Sequence, residues 1–286
     1  RTPFSLANGL LLTGDRRYLD LWRNMLDVVN KNAKQENGQT LYPHMYGRLD
    51  RLERLQKGGE LDDLPEKGPE GWYEYRPQKF APGVAPLYHW TFDRSALELV
   101  GEPPRWVRYL DGKDDSYPVA ALSDDLDTLR VKVERMNDDE RSPDSSMSDD
   151  MNRMNPATTG ALTQLMLGGV PTGRDVHVMH CQVRYFDPAR RRAGLPQDVA
   201  ALVDRFTENE ISVTLVNLSP VNEHTLIVQS GAYAEHHIQT VRAESGSETP
   251  VNHSSFAVTL APGAGERLTL SIKRYANRPS LAMPWV

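Results

Sequence analysis

The chain has 286 residues, enough for one large domain or two of ordinary size. Its 33 Lys and Arg stand against 39 Asp and Glu, a net charge of -6, which argues against a protein built mainly to bind nucleic acid. Its single cysteine, Cys181, excludes an internal disulfide framework and a Cys-rich zinc site, and no apolar run approaches the roughly 20 residues that span a bilayer.

The first 170 residues read as helical. Thr2-Pro3 is a helix start, with proline at the first helical position. Leu6 and Leu10 lead to Gly14, and Asp15 can cap the next helix. There Tyr18, Leu21, Trp22, Met25, Val28 and Val29 recur at three- and four-residue steps, so a helical hairpin with a Thr13-Gly14-Asp15 turn is expected. A helix is expected around Pro86–Val100. A stronger one follows Ser116, where Val119, Leu122, Leu126, Leu129, Val133 and Met136 are spaced 3, 4, 3, 4, 3. Asp124, Asp125, Arg130, Lys132 and Arg135 should form its wet face. Asn155-Pro156 should start another helix, through Leu162, Leu165 and Met166 to Gly168-Gly169. Three stretches read as irregular: the charged, glycine-containing Arg51–Gly71, the proline-containing Glu102–Ser116, and the Asp-, Ser- and Asn-rich Asp138–Asn152.

Residues 176–286 change grammar. About seven alternating segments, separated by turns such as Asp187-Pro188, Gly231 and Pro262-Gly263, suggest an antiparallel β-sandwich. The strand over Ile211–Leu218 is apolar on both faces and should be central. The charge also divides: residues 1–175 carry the whole net negative charge, and residues 176–286 hold 10 bases and 10 acids. The expected domains are therefore 1–170, helical, and 176–286, β.

The run Leu6-Ala7-Asn8-Gly9-Leu10-Leu11-Leu12-Thr13-Gly14-Asp15-Arg16-Arg17-Tyr18-Leu19 resembles the helical hairpins of α/α-toroid carbohydrate-active enzymes. The order of a helical part followed by an antiparallel β-sandwich resembles polysaccharide lyases and glycosidases of that architecture. The resemblance implies a multidomain fold, α then β, in which a partial α/α toroid precedes the sandwich. A full toroid needs more helices than the five or six legible here. The chain is thus expected to be the C-terminal part of a longer protein or an incomplete toroid, completed by a missing N-terminal helical part or by a homo-oligomer. The resemblance also implies a carbohydrate substrate, no cofactor and an extracellular or periplasmic setting.

The richest candidate chemistry lies in three pieces: Leu41–Arg48, Gly71–Pro77 and Leu87–Asp93. They hold eight of the chain's aromatic residues. Sugar rings stack on Tyr and Trp by their apolar faces, and their polar edges need His, Arg and Glu. The substrate-binding candidates are Tyr42, Arg48, Trp72, Tyr73, Glu74, Arg76 and Trp90. These aromatics can equally pack beneath loops, with the charged groups paired at the rim.

His44, Tyr46, Tyr75 and His89 are the catalytic candidates, as acid and base of a β-elimination on a uronic acid, with arginine neutralising the carboxylate. A hydrolase would instead need two carboxylates about 5–10 Å apart; Glu70, Glu74 and Asp93 lie in or beside the right pieces. A non-catalytic sugar-binding or structural subunit is the third expectation. His177 and His180 sit three apart in a strand-like segment and face opposite sides, so no metal is assigned. Cys181 reads as a small buried residue.

Overall fold

A computed structural model describes residues 2–45, 73–81, 83–99, 101–142, 155–169, 179–244 and 246–285. Helices come first and antiparallel sheets fill the C-terminal part, in the order α then β. The chain divides into two compact units, Arg1–Leu10 with Asp15–Pro103, and Leu11–Gly14 with Pro104–Val286. This division falls earlier than the change from helix to strand. Trp106 packs near Phe206, with ring centroids 6.3 Å apart, so the helices after Pro104 lie with the strands.

Two helices come first, α1 (Thr2–Thr13), of which the first unit holds the part through Leu10, and α2 (Arg17–Lys31), and Gly9 of α1 lies against the Tyr18 ring of α2. The Asp15 carboxylate accepts the Arg17 backbone N–H at 2.9 Å, satisfying one of the donors a helix start leaves open. The residues that α2 buries are Leu19, Trp22 and Leu26, so of the expected stripe only Trp22 is buried. Leu21 and Val28 stay exposed.

After α2 come three short antiparallel strands, β1 (Lys34–Glu36), β2 (Gln39–Met45) and β3 (Tyr73–Arg76), in sheet order β1-β2-β3. The sequence pattern predicts no strand in these segments. The next helix, α3 (Val84–Thr91), is shorter than expected, because Phe92 turns left-handed (φ 57) and a 3-10 turn over Arg94–Leu99 follows.

Gly83 precedes α3 at φ 75, with the Trp22 indole where a Cβ would stand. Trp22 meets Trp90 edge-on, with centroids 5.6 Å apart. The Asn30 amide clamps Phe80, accepting from its N–H at 2.7 Å and donating to its carbonyl at 3.0 Å.

The second unit contains α4 (Arg105–Leu110), α5 (Tyr117–Asn137) and α6 (Gly160–Leu167). Within Glu102–Ser116, the segment expected to be irregular, α4 is held by Asp114. Its carboxylate accepts from Arg105 at 2.9 Å and from the Ser116 hydroxyl at 2.8 Å, and these bonds hold its pKa down to about 2. α6 begins later than Asn155-Pro156 predicts. Asn155 caps only a turn, accepting the Ala157 N–H at 2.9 Å, whereas Asp125 of α5 accepts the Ala161 N–H in the first turn of α6 at 2.7 Å. Gly168 ends α6 in the left-handed region, as its sequence position predicts.

Nine strands follow: β4 (Val183–Asp187), β5 (Arg192–Ala193), β6 (Val199–Phe206), β7 (Glu210–Asn217), β8 (His224–Ser230), β9 (His237–Ala243), β10 (Glu248–His253), β11 (Ser255–Leu260) and β12 (Gly265–Lys273). They make a five-stranded sheet, β10-β9-β12-β7-β6, and a four-stranded sheet, β11-β8-β4-β5. β7 lies between β12 and β6, the interior place its two apolar faces predict. Register puts Val203 beside Val213, Val213 beside Leu268 and Ile211 beside Leu270, so one face of the larger sheet is a continuous buried layer. Leu226 and Val228 of β8 and Tyr185 of β4 are buried in the smaller sheet. The arrangement is sandwich-like, with the Tyr185 hydroxyl donating to the Met166 carbonyl of α6 at 2.9 Å.

Candidate functional site

The ladder between β2 and β3 assembles part of the candidate site. Its register sets Tyr42 opposite Arg76, Pro43 opposite Tyr75, His44 opposite Glu74, and Met45 opposite Tyr73. Residues directly across an antiparallel pair share a face, and successive residues alternate faces. Tyr42, His44, Glu74 and Arg76 therefore hold register positions on one face. Pro43, Met45, Tyr73 and Tyr75 hold positions on the other. On that second face Pro43 is buried and Tyr75 is half-buried, with the Lys34 ammonium 4.3 Å from the centre of its ring. Tyr42 and Arg76 are also half-buried.

The remaining candidates fall elsewhere. His89 and Trp90 lie on α3 and are 2% and 6% exposed, so both belong to the interior of the first unit. Tyr88 is beside His89, with ring centroids 5.4 Å apart. Tyr46, Arg48 and Trp72, together with Glu70, lie outside the described residues.

Asp93 is bound into the unit. Its carboxylate takes the Arg23 guanidinium at 2.5 Å and the Ser95 N–H at 2.9 Å. Ser95 first, then Arg23, holds its pKa below the ordinary carboxylate value.

The second unit contains a polar constellation that the sequence reading did not assemble. Arg274, just after β12, is half-buried. It donates to the Glu208 carbonyl at 2.8 Å, to the Thr207 carbonyl at 2.6 Å and to Gln182 Oε1 at 2.7 Å. Burial lowers its pKa to about 10, so it stays charged at neutral pH.

His236 lies 3.5 Å from Arg274 and accepts the Tyr275 N–H on Nδ1 at 3.0 Å. Burial first, then the Arg274 charge and His180, keeps its pKa well below the ordinary imidazole value. The ring is therefore neutral with its proton on Nε2. Its 3.9 Å approach to Glu235 is accordingly not an ion pair.

Glu235 accepts the Ala232 and Tyr233 N–H groups at 3.2 and 2.7 Å, and burial raises its pKa against those bonds. Cys181 is buried, and its thiol pKa is pushed up by the loss of solvent. Arg274 and Gln182 lie beside the ends of strands far apart in the sequence, β12 and β4. The Arg274 guanidinium meets three acceptors, whereas the buried Gln182 Nε2 has no hydrogen-bond partner among the described residues; the three Arg274 bonds tie distant segments together as a structural lock does.

Among the described residues, no group of three His, Cys, Asp or Glu is placed to hold a metal ion. No helix among them is long and apolar enough to cross a membrane.

Residues 94–163 match a family described as a domain of unknown function (DUF8034). That span runs from the 3-10 turn through α4 and α5 into α6. No curated protein and no solved structure matches the chain.

Proposed function

We propose that the protein is a carbohydrate-active enzyme that cleaves a uronate-containing polysaccharide or oligosaccharide by β-elimination, outside the cell or in the periplasm. In this reading the α1–α2 hairpin is part of an α/α toroid and the β-rich unit is its C-terminal sandwich. The observation that carries the proposal is the β2–β3 register, which gives Tyr42, His44, Glu74 and Arg76 one common face. Cross-strand neighbours on such a face have Cβ atoms about 5 Å apart, close enough for two side chains to act on one sugar ring.

The chemistry then follows from the residue types. Arg76 neutralises the substrate carboxylate, which acidifies the C5 proton. His44 removes that proton. The C5–H electron pair forms the C4–C5 double bond, the C4–O bond breaks, and Tyr42 gives its proton to the departing oxygen.

Incubation of the full chain with uronate polymers should produce the ultraviolet absorbance of the new double bond. Release of reducing ends from neutral glycans without that absorbance would replace the lyase by a hydrolase. No product from either class would leave a sugar-binding or structural subunit.

A further inference from the structure

α5 is a 21-residue helix in which no residue is buried. Its apolar stripe, expected to face a core, is instead open. Val119 is 72% exposed, Leu126 54% and Met136 44%, and Leu122 and Val133 are also exposed. Asp125 and Lys132, expected on the wet side, are half-buried beside α6, where Lys132 donates to Thr158 at 3.1 Å and Asp125 holds the start of the helix. So α6 covers one flank of α5, Leu129 is half-buried, and Val119, Leu122, Leu126, Val133 and Met136 stay exposed.

The stripe has the 3-4 spacing of a coiled-coil seam. Val119, Leu126 and Val133 fall on one heptad position, and Leu122, Leu129 and Met136 on the other. It extends about 26 Å at 1.5 Å per residue. Charge along the helix is segregated. Asp124, Asp125 and Asp127 lie in the first half. Arg130, Lys132 and Arg135 lie in the second, where Glu134 is the one acid.

A parallel neighbour of the same sequence would set acids against acids and bases against bases. An antiparallel one sets each acidic half against a basic half. The seam also closes on itself in that orientation. Val119 meets Met136 of the second copy, Leu122 meets its Val133, and Leu126 meets its Leu129, all about one two-fold axis between residues 127 and 128.

We propose that α5 pairs antiparallel with the α5 of a second copy of this chain, the two apolar stripes forming the seam of a two-fold dimer. At the edge of this seam Ser123 of each copy faces Arg130 of the other. Arg130 is exposed and is paired with Asp127 at 2.8 Å, a surface contact easily exchanged.

The test uses the full chain. Light scattering with size exclusion should give a dimer mass, and Leu126→Glu should give a monomer with an unchanged circular-dichroism spectrum. Two single-cysteine variants, Ser123→Cys and Arg130→Cys, provide a second reading that does not depend on disrupting the seam. Mixed and oxidised together, they should form a disulfide-linked dimer at least tenfold faster than either variant alone. Cys181 is buried and does not compete. A wild-type chain that stays monomeric at micromolar concentrations, or cross-linking as fast within each single variant as in the mixture, would overturn the pairing.

Discussion

Replacing His236 by asparagine should flatten the dependence of stability on pH in the second unit. In the fold, Nδ1 of His236 accepts the Tyr275 N–H, and asparagine Oδ1 can stand near the same point. What asparagine lacks is titration. The buried imidazole has its pKa depressed well below 6.5, with Arg274, His180, Glu235 and Tyr275 around it. The unfolded chain therefore binds a proton near pH 6.5 that the folded chain refuses. The stability associated with neutral His236 is complete above pH 6.5 and is lost as pH falls toward the depressed value. For one such group the loss between pH 7.5 and 5.5 is about 1.4 kcal/mol.

Glu235 acts in the opposite sense. Its folded pKa is raised, so its contribution is complete below the unfolded value and is lost as pH rises through the folded one. Comparing wild type with His236→Asn largely cancels it. Hydrogen exchange of peptides covering β9 and β12, corrected for intrinsic rates, reads the opening free energy of this unit alone. The wild type should lose about 1.4 kcal/mol more than the variant over that interval. Equal losses would show that His236 is not held neutral and would refute the reasoning.

Arg274→Met should cost about 1–3 kcal/mol in urea unfolding, because the Thr207 and Glu208 carbonyls lose a charged donor. Leu226→Ala, at a fully buried position of β8, should cost about 2–5 kcal/mol in the same measurement. Gly83→Ala should lower the thermal midpoint of the first unit and shift tryptophan fluorescence, since the left-handed backbone alone costs about 1–2 kcal/mol and the new methyl meets the Trp22 ring.

Much of this architecture was legible in the sequence because its signals are local. The 3-4 spacing from Val119 to Met136 marked α5 within two residues at either end, and alternation marked β6 to β9, β11 and β12 but not β10. Periodicity reports which side of an element is apolar, not what covers it. That is why the stripe of α5 was expected to face a core and stands open instead.

The β2–β3 pair was missed for a different reason. Pro43 and the flanking aromatic cluster suggested a loop, although Tyr73-Glu74-Tyr75-Arg76 alternates with the period of a strand. The pairing of His44 with Glu74 joins positions thirty residues apart and depends on register, which short-range patterns do not carry. The Arg274 lock was illegible because its acceptors, Thr207 and Glu208 on one side and Gln182 on the other, come from segments far from it and from each other in the chain.

The most direct test of the proposed activity follows the ultraviolet absorbance of unsaturated uronate during incubation with polyuronates, for the wild type, His44→Ala and Arg76→Ala. The account requires turnover by the wild type, a loss of at least a hundredfold in kcat for His44→Ala, and a rise in KM for Arg76→Ala that is greatest on substrates with free carboxylates. Turnover that survives both substitutions unchanged would show that the β2–β3 face is not the site. Absence of unsaturated product from every uronate polymer would contradict the lyase itself.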